Sequence, residues 1–203
     1  MSNRGRSKCD IKNRQILEAA IALFVEGGYH STSMDQVAAL AGVSKQTVYS
    51  HFSNKHELFK SAVQSRRSDY FSADLTLNNH APPRETLLKF AKTLLDLLVS
   101  EDVVRTRRVC ESEAESHPEV AATYFSEGPE HTTQLLTEYL DNLQDFGHLA
   151  INNPRHAAIQ LKHMLTGEAQ MRALLNQPAW TNEQEMAYLD SCIDMFLRAY
   201  APH

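Results

Sequence analysis

Lys45, Gln46, Thr47, Tyr49, Ser50, His51 and Lys55 are seven hydrogen-bonding or cationic side chains within eleven residues. Lysine donates to guanine O6 or N7, glutamine pairs with both groups of the adenine edge, and threonine offers thymine a methyl. Serine can serve a base edge or a phosphate, and tyrosine, histidine and a second lysine are types that reach phosphate oxygens. Together they suit the reading of double-stranded DNA, provided that the backbone gathers them on one exposed face.

The segments around them have the cues to do that. Ser33 is a good helix N-cap, Gln36 completes a capping box, and Val37, Ala38 and Ala41 follow on one face, so a helix is expected from Met34 to Ala41. Gly42 accepts the positive φ that ends a helix, Val43 plugs the corner, and Ser44 caps a second helix from Lys45 to His51. Seven residues are too few for a helix to persist alone in water, so packing must hold it, with Val48 and Phe52 as anchors. Asn54 with Glu57 repeats the capping signature and opens a third helix. Lys55 then falls in a first turn, where the free amide ends add partial positive charge; Thr32 and Ser33 stand in the same relation to the preceding helix. Ser33, Ser44 and Asn54 act as caps first, and the Tyr49 ring has the alternative of packing beside Phe52 with only its hydroxyl out.

Two short helices joined by a glycine turn form a helix-turn-helix. The segment from about Ile11 to Phe59 resembles the DNA-binding domain of the TetR family of bacterial regulators. The residues that carry the likeness are Ile16-Leu17-Glu18-Ala19-Ala20, Leu23-Phe24, Gly28-Tyr29, Thr32-Ser33, Val37-Ala38, Ala41-Gly42-Val43-Ser44, Thr47-Val48-Tyr49, His51-Phe52, Lys55 and Leu58-Phe59. The resemblance implies backbone contacts for Tyr49, His51 and Lys55. Many members have a small residue where this chain has Gln46, so its base preference does not transfer from a relative. One such head covers a small site, and tight discrimination needs two, about one helical turn apart on a palindrome.

The charge of the 203-residue chain is divided to match. Net charge is −5, but residues 1–67 carry 10 Lys and Arg against 5 Asp and Glu, and the remainder 10 against 20. A basic head on an acidic body directs an anionic duplex to one end. Three cysteines far apart, without a CxxC pair, indicate neither a disulfide framework nor a cysteine zinc site. No signal-like leader and no run of about 20 apolar residues occurs, so a cytoplasmic protein is expected.

An all-α architecture of about nine helices follows from 7 Gly and 7 Pro in 203 residues and from helical periodicity throughout. Residues 1–9 read as a flexible basic arm and 10–56 as the helix-turn-helix domain, with a support helix from Asp10 to the Gly27-Gly28 stop. Residues 57–203 read as an effector-binding and dimerisation domain. After the break at Asn78 to Pro83, Leu87, Leu88, Ala91, Leu94, Leu95 and Leu98 form an amphipathic helical stripe, and further helices are expected over about 102–116, 119–127, 129–146, 154–175 and 181–201. Arg108 to Ala114, His117 to Ala121, Tyr124-Phe125 and Gly128-Pro129 resemble the C-terminal domain of the AefR-type branch of the TetR family, several members of which control efflux or transport genes.

The same resemblance implies a cavity whose occupant changes the spacing of two heads. Candidate lining residues are Phe90, Leu94, Cys110, Glu113, Phe125, His131, Leu135, Tyr139, His163 and Met164, which suit a small, largely apolar effector. A homodimer surface is expected on the last two helices, at Leu161, Leu165, Glu168, Arg172, Leu189, Ile193, Phe196, Leu197 and Tyr200. The alternative for part of that stripe is the chain's own core. No catalytic motif, metal-ligand spacing or cofactor fingerprint is present, so neither enzyme activity nor a metal nor a cofactor is expected. The reading is a sequence-specific regulator, a repressor released by its effector. The alternative is an architectural or division-linked DNA binder without an effector.

Overall fold

The computed structural model describes residues 8–70, 77–78 and 81–202. Its helices are α1 (Lys8–Ser31), α2 (Met34–Ala41), α3 (Lys45–His51), α4 (Lys55–Tyr70), α5 (Pro83–Val99), α6 (Glu101–Glu113), α7 (Pro118–Phe125), α8 (His131–Asp145), α9 (Pro154–Leu174) and α10 (Asn182–Ala199). No strand occurs among the described residues. A π-helical turn over Ser126–Glu130 joins α7 to α8 with Ser126 and Glu130 both in the αR region, so these two make one helical run and the described helices number nine. The expected arm lies outside the described residues as far as residue 7, while Lys8 and Cys9 belong to α1.

Two compact units divide the chain. The first comprises Met1–Arg66 with Arg105–Glu127. Its core gathers Ile16, Ala20 and Phe24 of α1, Val37 of α2, Val48 of α3 and Leu58 and Phe59 of α4, together with Cys110 of α6 and Val120 of α7. Phe24, Tyr29 and Phe59 pack ring against ring at 5.4–5.6 Å between centroids. A boundary after residue 56 would cut through this core. α1 with the two short helices α2 and α3 buries too little apolar surface to be stable alone, and α4 with the α6–α7 corner supplies further cover.

The second unit comprises Arg67–Val104 and Gly128–His203. Leu87, Phe90, Leu94 and Leu95 of α5 meet Leu136, Tyr139, Leu140 and Leu143 of α8, Leu161 and Leu165 of α9, and Leu189, Ile193 and Phe196 of α10. Each set recurs at helical spacing, so each helix turns one stripe inward. Charges lace the rim: Arg84 of α5 bonds Asp190 at 2.7 Å and Asp194 at 2.8 Å on α10, and Lys92 reaches Glu185 at 2.8 Å. Thr181 and Gln184 form the expected capping box at the start of α10. None of the described helices is long and apolar enough to cross a membrane.

Candidate nucleic-acid interface

The corner between α2 and α3 is built by local hydrogen bonds. The Gln36 N–H donates to Ser33 Oγ at 3.2 Å, and the Ser33 N–H donates to Gln36 Oε1 at 2.8 Å. Gly42 takes φ 66° and ψ 30°, and the Val43 N–H donates back to the Ala38 carbonyl at 3.1 Å, which closes a Schellman turn. The Thr47 N–H donates to Ser44 Oγ at 3.1 Å and starts α3. Val48, fully buried, and Phe52, 6% exposed, then fix the inward side of α3.

What α3 leaves outside is the polar set. Gln46 and Ser50 are exposed, and Ser50 donates to the Thr47 carbonyl at 2.8 Å. Thr47 is half-buried, its hydroxyl 2.8 Å from Ser44 Oγ. Tyr49 is 47% exposed, so its ring stands out from the core rather than inside it. His51 is half-buried, its ring 6.1 Å from that of Phe52. Lys45 is exposed and its ammonium meets both carboxylate oxygens of Asp35, at 2.8 and 2.9 Å. That hydrogen bond and charge hold the ammonium pKa above its ordinary value. No local sequence signal marks Asp35, because the pair spans ten positions and only the α2–α3 corner brings its ends together.

The flanking candidates serve the head's own structure. Thr32 is buried and donates its hydroxyl to the Gly28 carbonyl at 2.9 Å, holding the turn before α2. Ser33 is exposed and acts as the cap described above. Lys55 turns its ammonium onto the end of α1, donating to the carbonyls of Tyr29 at 2.8 Å and His30 at 3.2 Å. It also lies 4.4 Å from the Tyr29 ring centroid. Burial lowers its pKa, and the Glu113 carboxylate offsets part of that. The structural reason is that α1 ends at Ser31, so the carbonyls of Tyr29 and His30 fall in its last turn, where no i+4 amide of the helix reaches them.

The ten candidate effector residues do not form one set. Phe90, Leu94 and Tyr139 are buried in the second unit's core, with Met164 packed against it. His131 and Leu135 are half-buried on α8, and His163 is exposed on α9. The Tyr139 hydroxyl is buried beside Thr86; burial raises its pKa, and hydrogen bonding with Thr86 acts in the opposite sense. Cys110, Glu113 and Phe125 belong to the first unit. Cys110 is core, its thiol pushed up to about 12 by burial, and Glu113 accepts the His30 N–H at 3.3 Å. Phe125 is 58% exposed.

The candidate dimer residues also separate. Leu161, Leu165, Leu189, Ile193 and Phe196 are at most 4% exposed within a single chain, so they present no surface to a partner. A helix with apolar residues on two sides turns the denser stripe to its own core. Glu168 stays exposed, while Arg172, Leu197 and Tyr200 are half-buried. The apolar residues that α9 and α10 do leave out include Met171 at 55% and Met195 at 50%, with Leu175 just past α9 at 60%.

Comparison with known proteins bears on both ends of the chain. A family model for bacterial regulatory proteins of the tetR family matches residues 16–62, and one for the C-terminal domain of AefR-like transcriptional repressors matches residues 85–202. A regulator of the same family from Mesorhizobium loti superposes with a TM-score of 0.81 at 28% identity, covering 97% of this chain and 100% of that one. The flavonoid-responsive regulator FrrA superposes with a TM-score of 0.79 at 29% identity, covering 95% and 98%. The transcriptional activator FasR of Mycolicibacterium smegmatis is 33% identical over 114 residues, 56% of this chain. The chain spans about half of FasR's length, 52%, and its match to YhgD of Bacillus subtilis, 52% identical over 48 residues, spans 25% of that protein.

Proposed function

The chain belongs to the TetR family of bacterial DNA-binding transcriptional regulators, and from that premise we propose that it is a repressor which binds a palindromic operator as a homodimer. The observation that carries the reading is the α3 face: Lys45, Gln46, Tyr49 and Ser50 are exposed on a helix whose other side is pinned by Val48. Recognition helices of this kind present their N-terminal residues to base edges in the major groove. Lys45, Gln46, Thr47 and Ser50 are assigned to the groove, with Tyr49 and His51 on the backbone. Ser33 and Lys55 serve the adjoining phosphates from helix N-termini. Thr32 contributes by shaping that turn.

Repression is favoured by the match of the C-terminal domain to AefR-like repressors, and an efflux or transport gene is the target class the resemblance suggests. The dimer forms through the outward faces of α9 and α10, where Met171, Leu175 and Met195 are exposed beside Glu168, Arg172, Leu197 and Tyr200. The effector is small and largely apolar and enters the second unit near Phe90, Leu94, Tyr139 and Met164. Support comes from the Tyr139 hydroxyl, a polar group buried in the apolar core, and from FrrA, similar over almost the whole chain and responsive to flavonoids. It acts by binding one head spacing more tightly than the other.

The test is selection of duplexes from a random pool by the purified protein, followed by a reporter carrying the enriched site. A palindrome with half-sites about one helical turn apart, bound by a dimer, and a reporter that rises when the gene is deleted are the expected results. Enrichment of no sequence would overturn the operator reading, and a reporter that falls on deletion would make the protein an activator. Effector release is checked by adding a panel of flavonoids and other apolar aromatics to the DNA complex.

A further inference from the structure

Lys45 opens the recognition helix, yet its ammonium does not stand free. Both oxygens of Asp35, on the first turn of α2, hold it at 2.8 and 2.9 Å, and the Tyr49 ring centroid lies 6.0 Å away. Lysine and carboxylate are both well exposed, 59% and 62%, and exposed ion pairs of this kind do little for stability. Asp35 is also an odd residue for a DNA-facing corner, since a carboxylate there repels phosphate. We propose that Asp35 is a specificity-determining positioning residue, which binds the Lys45 ammonium so that it serves a base edge rather than the backbone. The inference rests on α3 being the DNA-reading helix.

The physical argument separates two properties of an ammonium. Its net charge attracts every phosphate alike, with a backbone charge about every 1.7 Å along the duplex, and that attraction carries no sequence information. Its N–H donors are directional and act only at contact. Pairing with Asp35 cancels the charge as seen by distant phosphates, while at least one of the three N–H groups stays available to guanine O6 or N7. Asp35 is held in place independently of Lys45, because a carboxylate in the first turn of a helix is favoured by the free amide ends. The pair therefore gives up some general affinity and keeps the contact that distinguishes sequences.

The experiment uses the full chain, its Asp35→Asn and Lys45→Met variants and the double variant. Each is titrated by fluorescence anisotropy against the duplex that the wild type enriches and against a shuffled duplex, at several salt concentrations between 50 and 200 mM. Asp35→Asn is expected to bind the shuffled duplex about 3- to 10-fold more tightly at low salt. Its slope of log K against log salt should steepen by about one per bound head, and the ratio of enriched to shuffled affinity should fall about 5-fold. In the Lys45→Met background the same change leaves the ratio where it was. The proposal is overturned by an unchanged slope and ratio. It is also overturned by equal weakening on both duplexes with a lowered melting temperature, the mark of a residue that only starts α2. If the wild type enriches no sequence, the operator reading fails, and the salt slope on shuffled DNA still decides the role of Asp35.

Discussion

The Lys55 ammonium donates to the Tyr29 carbonyl at 2.8 Å and lies 4.4 Å from the ring of the same residue. It thus joins the first turn of α4 to the end of α1, adding a donor to carbonyls of the helix's last turn. A cation so placed holds the support helix against the head as well as adding charge at the DNA end.

Lys55→Met should therefore lower stability as well as DNA affinity. A charged hydrogen bond contributes about 1.5–3 kcal/mol before relaxation, so a loss of about 1–2 kcal/mol is expected. In a chain of this length that is a fall of roughly 2–8 °C in melting temperature, read by calorimetry. A variant that melts like the wild type and loses only affinity would assign the ammonium to phosphate alone.

The two positive-φ glycines of the head should differ in cost. A Cβ at Gly42 would meet nothing within 4 Å, so Gly42→Ala costs only the left-handed backbone, about 1–2 kcal/mol. At Gly28, φ 83° and ψ 167° is glycine territory, and a Cβ would also lie 3.3 Å from Glu113 Oε1. Urea titrations should rank Gly28→Ala as the less stable of the two; the reverse order would mean that the kink relaxes freely.

Gln46→Ala should change which sequences are bound without changing the fold. The side chain is exposed, so its removal leaves the melting curve in place, while discrimination at one base position falls by about 1–3 kcal/mol. Repeating the duplex selection with the variant measures this. An identical enriched sequence would remove Gln46 from the base contacts.

Cys110 should be inert while the protein is folded. Burial pushes its thiol up to about 12, and that of Cys192 is raised as well. In a Cys9→Ser background, iodoacetamide at pH 8 should label neither in the native protein and both after unfolding. The linkage has a sign: the folded thiol stays protonated where the unfolded one, near 9, ionises. The stability Cys110 confers is full below about 9 and declines as pH rises toward 12, and Cys110→Ser should flatten that decline in urea titrations.

Charge on the outward face of the last two helices should separate the subunits. Met195→Asp or Leu175→Asp alters a side chain at least half exposed in the single chain, so the fold survives. Sedimentation should then show a monomer with weakened operator binding. A variant that remains dimeric would place the interface elsewhere, while Leu161→Asp is expected to unfold the unit.

The helices were legible in the sequence because caps and breakers act over three or four residues. Ser33 with Gln36, Gly42, Ser44, and Thr181 with Gln184 each satisfy backbone groups of their own neighbourhood, and no distant contact was needed to read them. The exposed polar face of α3 followed from the same local register, as did the basic character of the head.

The partners of particular side chains were another matter, since they depend on which faces meet after folding. Periodicity marks Leu161, Leu165, Leu189 and Ile193 as apolar stripe but carries no sign of whether the stripe faces its own core or a second copy. Nor does it show that Cys110 and Val120 finish the core of a head some fifty residues earlier in the chain. Lys45 and Lys55 look alike in the sequence, two lysines beside helix starts. The corner at Gly42 gave one to Asp35, and the packing of α4 on the end of α1 gave the other to Tyr29. Neighbouring residues alone set the helices, the glycine turns and the polar face that they expose, so these are written locally along the chain. Only the tertiary structure decided what each cation serves and which apolar face remains open, because those are set by contacts between distant segments.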